Sequence, residues 1–225
     1  MSGISLPHLV RPPAAGANAP GVKPPLLLLM HGVRSNEQAI GSLAPSLDPR
    51  FVVVSLRSPL TLGPAQFGWF TVQFTMDGPV IDARQAEAAW TRVPQVIDEA
   101  VAELGADPAR VYLGGFSQGG IVTLATLLTS PEKIAGAVVM SGRLLPEVMS
   151  HVVSPERLRG KPLLWVHGTD DDVLEIDYLR NARRTLGALP LAFTAEEFAM
   201  GHTVSRESLA AVSSWLTSQL DSANG

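Results

Sequence analysis

The stretch that decides the fold is Val111-Tyr112-Leu113-Gly114-Gly115-Phe116-Ser117-Gln118-Gly119-Gly120, followed by a second apolar run over residues 121–128. The first apolar run predicts a short buried strand and the second predicts a helix, so the backbone must reverse within about two residues at Ser117. Glycines flanking a serine in the pattern G-x-S-x-G are typical of a strained strand-turn-helix junction, where larger side chains do not fit. The pattern predicts a serine hydroxyl beside the positive end of a helix, as a nucleophilic serine requires. A glycine-rich helix start with an incidental serine is the alternative.

Length and composition indicate one globular domain. The chain has 225 residues, of which 46% are hydrophobic and 17% charged, and single α/β domains commonly reach this length. We expect one domain over residues 1–225, in which residues 1–25 form an N-terminal edge strand and a mobile connection. No apolar run approaches the ~20 residues of a membrane span, and no secretory leader is evident. We therefore expect a soluble, cytoplasmic protein.

Charge and cysteine content exclude several classes of function. The net charge is −4, and the 17 lysines and arginines are scattered along the chain, so the basic footprint of a nucleic-acid-binding protein is missing. The absence of cysteine excludes disulfides, thiolate catalysis and cysteine-ligated zinc. We predict a small-molecule partner, no metal and no cofactor, and a homodimer is compatible with the composition.

Apolar runs and helical patterns alternate along the chain. Strands are predicted at residues 4–10, 26–30, 51–56, 111–116, 134–140, 162–166 and 191–198. Helices are predicted at residues 36–47, 82–104, 118–128, 176–186 and 209–220. This alternation predicts a mostly parallel central sheet with helices on both faces. The long segment 58–79 is expected to be functional or to contain short elements.

Polar residues follow several strands at their carboxyl ends, which meet at one edge of a parallel sheet. A serine needs a base to remove its proton, and the base needs a carboxylate to orient it. Ser117, one of Asp170 to Asp172, and His202 follow one another in the order of the α/β-hydrolase triad. Spacing alone does not choose among the three aspartates, and a solvated acidic turn or a weak calcium loop are alternatives for them.

The other histidines have simpler explanations. His31 and His167 each end a strand before a glycine, and we expect them to hydrogen-bond neighbouring loops. His8 lies near the N-terminus and His151 lies in a connection, so both are expected to be solvated. His202 follows the last strand and precedes the final helix, which makes it the candidate base.

Four motifs together resemble the carboxylesterase/phospholipase family of small α/β-hydrolases, which includes the acyl-protein thioesterases. The motifs are Leu29-Met30-His31-Gly32-Val33, Gly114-Gly115-Phe116-Ser117-Gln118-Gly119-Gly120, His167-Gly168-Thr169-x-Asp171-x-Val173 and Gly201-His202.

The resemblance implies a single-domain α/β-hydrolase fold and assigns roles to five residues. Ser117 would be the nucleophile, Asp171 the orienting acid and His202 the base, while the backbone N–H groups of Val33 and Gln118 would form the oxyanion hole. Two positions depart from the family's usual pattern. Arg34 replaces a frequent glycine, and the sequence Leu174-Glu175 replaces a frequent proline. We expect Arg34 to extend into water, with contact to a charged substrate group as the alternative.

Together these features predict a serine carboxylesterase that hydrolyses short to medium chain esters through an acyl-enzyme. We assign the substrate pocket to Phe67, Trp69, Phe70, Leu145 and Val173, although a core role for the aromatic residues is equally compatible. No insertion is long enough for a large lid domain. A thioesterase or lysophospholipase activity on acylated protein or small thioesters is the main alternative, and a non-catalytic binding protein of the same fold is a weaker one.

Overall fold

A central sheet and two short hairpins make up the β structure of the computed structural model, which describes residues 3–76 and 78–222. The strands are β1 (His8–Arg11), β2 (Leu26–Met30), β3 (Val52–Leu56), β4 (Leu60–Gly63), β5 (Gln66–Gly68), β6 (Val72–Thr75), β7 (Gly78–Ile81), β8 (Val111–Phe116), β9 (Gly136–Met140), β10 (Pro162–Gly168) and β11 (Ala192–Phe198). The helices are α1 (Glu37–Gly41), α2 (Ala83–Leu104), α3 (Gln118–Thr129), α4 (Pro155–Leu158), α5 (Asp177–Leu186) and α6 (Arg206–Ser222). Short 3-10 helices occur at Ala44–Ser46, Pro131–Lys133 and Pro146–His151.

The central sheet has seven strands in the order β1-β3-β2-β8-β9-β10-β11. Within the described residues, β1 pairs antiparallel with β3, and every other neighbouring pair in this sheet is parallel. The predicted mostly parallel sheet is confirmed. Because six strands run in the same direction, their carboxyl ends form one edge, and the loops that follow β2, β8, β10 and β11 converge there.

Both faces of the sheet are buried. In β2, Leu26, Leu28 and Met30 pack into one hydrophobic cluster, and Leu27 and Leu29 pack into another. This alternation follows from the two-residue period of a strand. Buried residues of α2, α3 and α5 complete the first cluster, and those of α1 and α6 belong to the second. Helices therefore cover both faces, as predicted.

The strongest predicted helix is α2, which forms as a single element. Its N-cap is Asp82, whose side chain accepts hydrogen bonds from the backbone N–H groups of Arg84 at 3.0 Å and Gln85 at 3.1 Å. It continues through Pro94 and ends at Gly105, whose φ of 62° lies in the left-handed region that glycine adopts at little cost. None of the helices within the described residues combines the length and hydropathy that a membrane crossing requires.

The N-terminal half differs from the prediction in two places. The first strand covers His8–Arg11 rather than residues 4–10, because Pro7 interrupts the earlier part, where Ile4 and Leu6 are buried in the core. Helix α1 ends at Gly41 instead of residue 47, and a 3-10 helix containing Pro45 follows. Pro45 has no backbone N–H to donate to the carbonyl of Gly41, so the α-helical hydrogen bonds cannot continue through it.

The long segment 58–79 contains short elements, which is one of the two possibilities expected from the sequence. Strands β4 and β5 form one hairpin, and β6 and β7 form another that extends to Ile81. Residues 12–25 form turns and irregular backbone that is mostly exposed. Residues 1, 2, 77 and 223–225 of the predicted domain lie outside the described residues.

Candidate active site

Ser117 lies between β8 and α3 in a strained backbone conformation. Its φ and ψ are 53° and −116°, a combination that non-glycine residues rarely adopt. A Cβ atom added at Gly115 would clash with the carbonyl oxygen of Gly119, and one added at Gly119 would clash with the carbonyl oxygen of Met30. The two glycines of the motif are therefore required by the close approach of α3 to β8 and β2.

Three side chains form a continuous hydrogen-bond chain at this turn. The Ser117 Oγ atom lies 2.9 Å from His202 Nε2, and His202 Nδ1 lies 2.8 Å from Asp171 Oδ2. An ionised carboxylate only accepts hydrogen bonds, so Nδ1 carries the proton and Nε2 is left to accept from the serine hydroxyl. Ser117 is 7% exposed and Asp171 is 5% exposed. This arrangement can transfer a proton from the serine to the imidazole.

The acid of this chain is held by its own loop. Asp171 Oδ1 accepts hydrogen bonds from the backbone N–H groups of Val173 at 3.0 Å and Leu174 at 2.8 Å. Asp170 and Asp172 are exposed. Of the three consecutive aspartates, Asp171 is therefore the one that faces His202.

Two buried histidines tie down the loops around the site. Burial lowers the pKa of His31 below its ordinary value of 6.5. The His31 Nε2 atom accepts a hydrogen bond from the backbone N–H of Ser58 at 3.1 Å, and Nδ1 donates to the carbonyl of Gly32 at 2.7 Å. His31 thus links the loop after β2 to the loop after β3, as the sequence predicted.

His167 plays the same part in the acid loop. The Trp165 indole N–H donates to His167 Nδ1 at 3.2 Å, so the ring proton is on Nε2, which donates to the carbonyl of Leu174 at 2.7 Å. His167 Nε2 also lies 3.5 Å from Asp171 Oδ2. Burial lowers the pKa of His167, which favours the neutral ring. Of the remaining histidines, His151 is exposed as predicted, whereas the half-buried His8 bonds to a backbone carbonyl.

A narrow cleft opens at Ser117, with a volume of about 30 Å³. It is lined by Val33, Phe70, Val72, Pro79, Ile81, Ser117, Gln118, Ile121, Arg143, Val173 and Leu174. Both residues predicted to supply oxyanion-hole donors, Val33 and Gln118, share this cleft with Ser117. A larger open cavity of about 720 Å³ adjoins it and shares Pro79 and Val173 with its lining.

The structure brings only part of the predicted pocket into this cleft. Phe70 and Val173 line it. Trp69 and Leu145 are buried in the core, 3% and 2% exposed, and Phe67 packs its ring under the guanidinium of Arg57 at 4.5 Å. The assignment of Phe67, Trp69 and Leu145 to the pocket wall is therefore wrong for this cleft, because their side chains are used in packing and hydrogen bonding.

Residues Phe67 to Phe70 form a strap that the sequence did not reveal. The buried side chain of Gln118 accepts a hydrogen bond from the backbone N–H of Trp69 and donates one to the carbonyl of Phe70, both at 2.7 Å. The Trp69 indole donates to the carbonyl of His31 at 3.0 Å. The signal available in the sequence was a glutamine at a buried helix start, where a polar side chain needs partners.

The strap also bonds to the loop that contains Val33. The backbone N–H of Arg34 donates to the carbonyl of Phe67 at 2.8 Å, and the N–H of Phe67 donates to the carbonyl of Ser35 at 2.9 Å. Arg34 itself is exposed, with a φ of 58°, in line with the prediction that it extends into water. The strap thus contacts both segments predicted to form the oxyanion hole.

A parallel sheet with a serine on a strained turn after a central strand, an acid after β10 and a histidine after β11 defines an α/β-hydrolase. The chain belongs to the phospholipase/carboxylesterase family, which it matches over residues 18–220, and it is a hydrolase.

Individual relatives are similar over different shares of the chain. Carboxylesterase SOBER1 of Arabidopsis thaliana is 32% identical over 167 residues, which cover 70% of each chain. Acyl-protein thioesterase 1 of Eremothecium gossypii is 32% identical over 105 residues, covering 47% of this chain and 44% of the relative. Among solved structures, esterase PE8 superposes with a TM-score of 0.80 at 24% identity, covering 96% of this chain and 99% of that one. The SOBER1 structure has a TM-score of 0.73 at 26% identity, covering 87% and 99%.

Proposed function

We propose that the protein is a serine carboxylesterase that hydrolyses short to medium chain carboxylic esters. The observation that carries the proposal is the hydrogen-bond chain from Ser117 through His202 to Asp171 on the strained turn. The family and the carboxylesterase relatives point to the same chemistry.

The geometry of the site supports the following reaction. Ser117 Oγ attacks the ester carbonyl carbon while His202 Nε2 takes the hydroxyl proton, and Asp171 stabilises the imidazolium that forms. The backbone N–H groups of Val33 and Gln118 stabilise the negative oxygen of the tetrahedral intermediate. His202 then gives its proton to the leaving alcohol, which breaks the ester bond and leaves an acyl-enzyme. Water, deprotonated by His202, attacks this acyl group, and the carboxylic acid is released with Ser117 regenerated.

Two features support a preference for shorter acyl chains. The cleft at Ser117 is narrow and lined mainly by apolar side chains such as Phe70 and Ile121, which suits a small acyl group. Within the described residues, the cleft is roofed by the β6–β7 hairpin, whose Val72, Pro79 and Ile81 line it. A thioesterase activity is the second candidate, because one of the relatives is an acyl-protein thioesterase and the same triad cleaves both bonds.

Substitution of Ser117 by alanine tests the proposal. We expect Ser117→Ala to lower kcat on p-nitrophenyl acetate by about 10⁴-fold or more and to abolish labelling by a fluorophosphonate probe. Ser214→Ala is the matched control, because Ser214 is an exposed serine of α6, and it should keep wild-type rates and labelling. Substantial activity or labelling in Ser117→Ala would reject the mechanism.

Two further measurements resolve the finer points. Rates on oxygen esters and thioesters with the same acyl chain decide between the two candidate activities, and a series of p-nitrophenyl esters fixes the chain-length preference. The cytoplasmic location and the homodimer stay predictions from the sequence, to be checked by cell fractionation and by light scattering of the purified protein.

A further inference from the structure

One charged side chain lines the cleft beside Ser117. Among the described lining residues, Arg143 carries a formal charge, while the others are apolar or, in Ser117 and Gln118, polar and uncharged. Arg143 follows β9 at the carboxyl edge of the sheet and is half-buried. A cation in an otherwise apolar cleft is the kind of isolated polar group that orients a ligand.

The guanidinium of Arg143 is held in place, and the residues that the structure describes give it no anionic partner. Its Nη2 atom donates to the carbonyl of Pro79 at 3.1 Å, and its Cζ atom lies 5.6 Å from the centre of the Tyr178 ring. No carboxylate of the described residues lies within 4.0 Å of it. An arginine side chain has five N–H donors, so most of those of Arg143 have no partner among the described residues.

Two other half-buried arginines are paired with carboxylates. Arg50 forms a salt bridge with Asp48 at 2.7 Å, and Arg110 forms one with Asp107 at 2.8 Å. Arg143 instead combines a fixed position with a charge that no carboxylate in the described part of the chain pairs with. A backbone carbonyl and an aromatic face hold the guanidinium before any ligand arrives, which reduces the side-chain entropy lost on binding.

We infer that Arg143 is a carboxylate-binding residue of the acyl subsite, so that the preferred substrates are half-esters of dicarboxylic acids. The inference rests on the proposed esterase function. The planar fork of a guanidinium matches a carboxylate in two parallel hydrogen bonds, and a partly desolvated cleft strengthens the attraction. A plain alkyl chain in the same place would leave the cation unpaired.

The charges of the adjoining cavity favour the acyl side for this carboxylate. Asp172, Glu175 and Asp177 line that cavity, beyond Pro79 and Val173. We assign this larger cavity to the leaving alcohol as part of the same inference, and an anionic group there would be repelled by these carboxylates. The substrate carboxylate is therefore placed at the end of the acyl chain, and the leaving alcohol is neutral.

The experiment compares half-esters with neutral esters of equal chain length. Monomethyl succinate, glutarate and adipate are paired with methyl butyrate, valerate and hexanoate, and kcat/KM is measured for each. We expect the wild type to prefer one half-ester over its neutral partner by about tenfold or more, the range of a charge-assisted hydrogen bond. In Arg143→Gln this ratio should fall by about the same factor, and in Arg143→Lys it should be intermediate, since lysine keeps the charge without the fork.

Arg159→Gln is the matched control, because Arg159 is an exposed arginine that precedes β10, at the opposite end of the strand from the site. Arg159→Gln should leave the activities on half-esters and on neutral esters, and the ratio between them, unchanged. If the wild type shows no preference for any half-ester, or if Arg143→Gln lowers both activities equally and keeps their ratio, Arg143 only supports the β6–β7 hairpin and the inference is wrong.

Binding of the product separates a wrong inference about Arg143 from a failure of the proposed esterase function. Calorimetry compares adipate with hexanoate on the wild type and on Arg143→Gln. If no ester is hydrolysed but adipate binds and the variant loses that binding, the carboxylate site stands and the esterase proposal falls. If adipate binds equally to both proteins, or to neither, the inference is overturned whatever the hydrolysis rates.

Discussion

Replacing Gln118 by methionine separates the two parts that this residue plays. Its backbone N–H is one of the proposed oxyanion donors, and its side chain anchors the strap at Trp69 and Phe70. Methionine has nearly the same length and keeps the backbone N–H, but it can neither accept nor donate the two 2.7 Å hydrogen bonds. The substitution therefore removes the anchor and leaves the donor.

The size of the effect of Gln118→Met follows from the backbone groups that lose their hydrogen-bond partner. Loss of the amide leaves a buried N–H of Trp69 and a buried carbonyl of Phe70 without partners, at ~1–3 kcal/mol each. We expect the free energy of unfolding to fall by roughly 2–4 kcal/mol, since some relaxation is available. Removal of an oxyanion donor costs about 10²–10³-fold in kcat, and partial displacement of the two donor segments should cost about tenfold. KM should change little because the strap bonds do not reach the substrate.

The assay combines steady-state kinetics on p-nitrophenyl acetate with thermal unfolding and inhibition by a boronic acid, which mimics the tetrahedral intermediate. Boronate affinity should fall in parallel with kcat. Trp69→Phe, which removes the indole donor to His31 and retains an aromatic ring, should give a smaller effect in the same direction. The exposed Gln95 of α2 provides the control variant Gln95→Met, which should match the wild type.

The refuting result is specific. If Gln118→Met unfolds at a clearly lower temperature but keeps wild-type kcat and boronate affinity, the strap stabilises the fold without orienting the oxyanion hole. A rise in KM with unchanged kcat would also contradict the argument, because it would place the strap in ground-state binding.

Two other substitutions test the acid and the buried charges. Asp171→Asn should lower kcat on p-nitrophenyl acetate by about 10³–10⁴-fold, since the amide no longer fixes the tautomer of His202; a loss below tenfold would contradict this role. Hydrogen bonds from Arg50 lower the pKa of Asp48 from 3.8 to about 2, so the folded state favours the ionised carboxylate. This difference of about 1.8 units corresponds to ~2 kcal/mol of stability at pH 7, lost as the pH falls from about 4 to 2. Urea unfolding of Asp48→Asn should show this deficit at pH 7 but little of it near pH 2, and a pH-independent deficit would argue against it.

The sheet was predictable from sequence because its pattern is strong and redundant. Leu26–Met30 is apolar at every position, as a strand buried on both faces must be. The turn at Ser117 was predictable for a steric reason, since its two glycines pack against backbone atoms. The acid was not determined by spacing, because neighbouring aspartates in an irregular turn point in different directions. Asp171 was selected only through the resemblance to a family.

The cleft was less predictable because its lining depends on distant contacts. The aromatic character of Trp69 indicated burial, but not that its indole would bond to the carbonyl of His31, 38 positions earlier in the chain. Arg143 was missed altogether, because a single arginine after a strand has no periodic or motif signal. Its place in the cleft depends on the hairpin residue Pro79 and on Tyr178 of α5, which the sequence separates widely.

The two buried histidines explain how loops from distant parts of the chain can hold a preorganised site. His31 and His167 each receive a hydrogen bond from an indole or a backbone N–H and donate one to a backbone carbonyl, which fixes both their tautomers and their loops. Since burial lowers the pKa of both rings, the folded state favours their neutral forms. The stability that these two histidines contribute is therefore present above the ordinary histidine pKa of 6.5. It is lost as the pH falls below that value, because the unfolded chain then binds protons that the folded state does not. Above that pH the groups around Ser117 stay in place before substrate arrives. Electrostatic stabilisation of a transition state requires this, because groups that are already oriented need no reorganisation when charge develops.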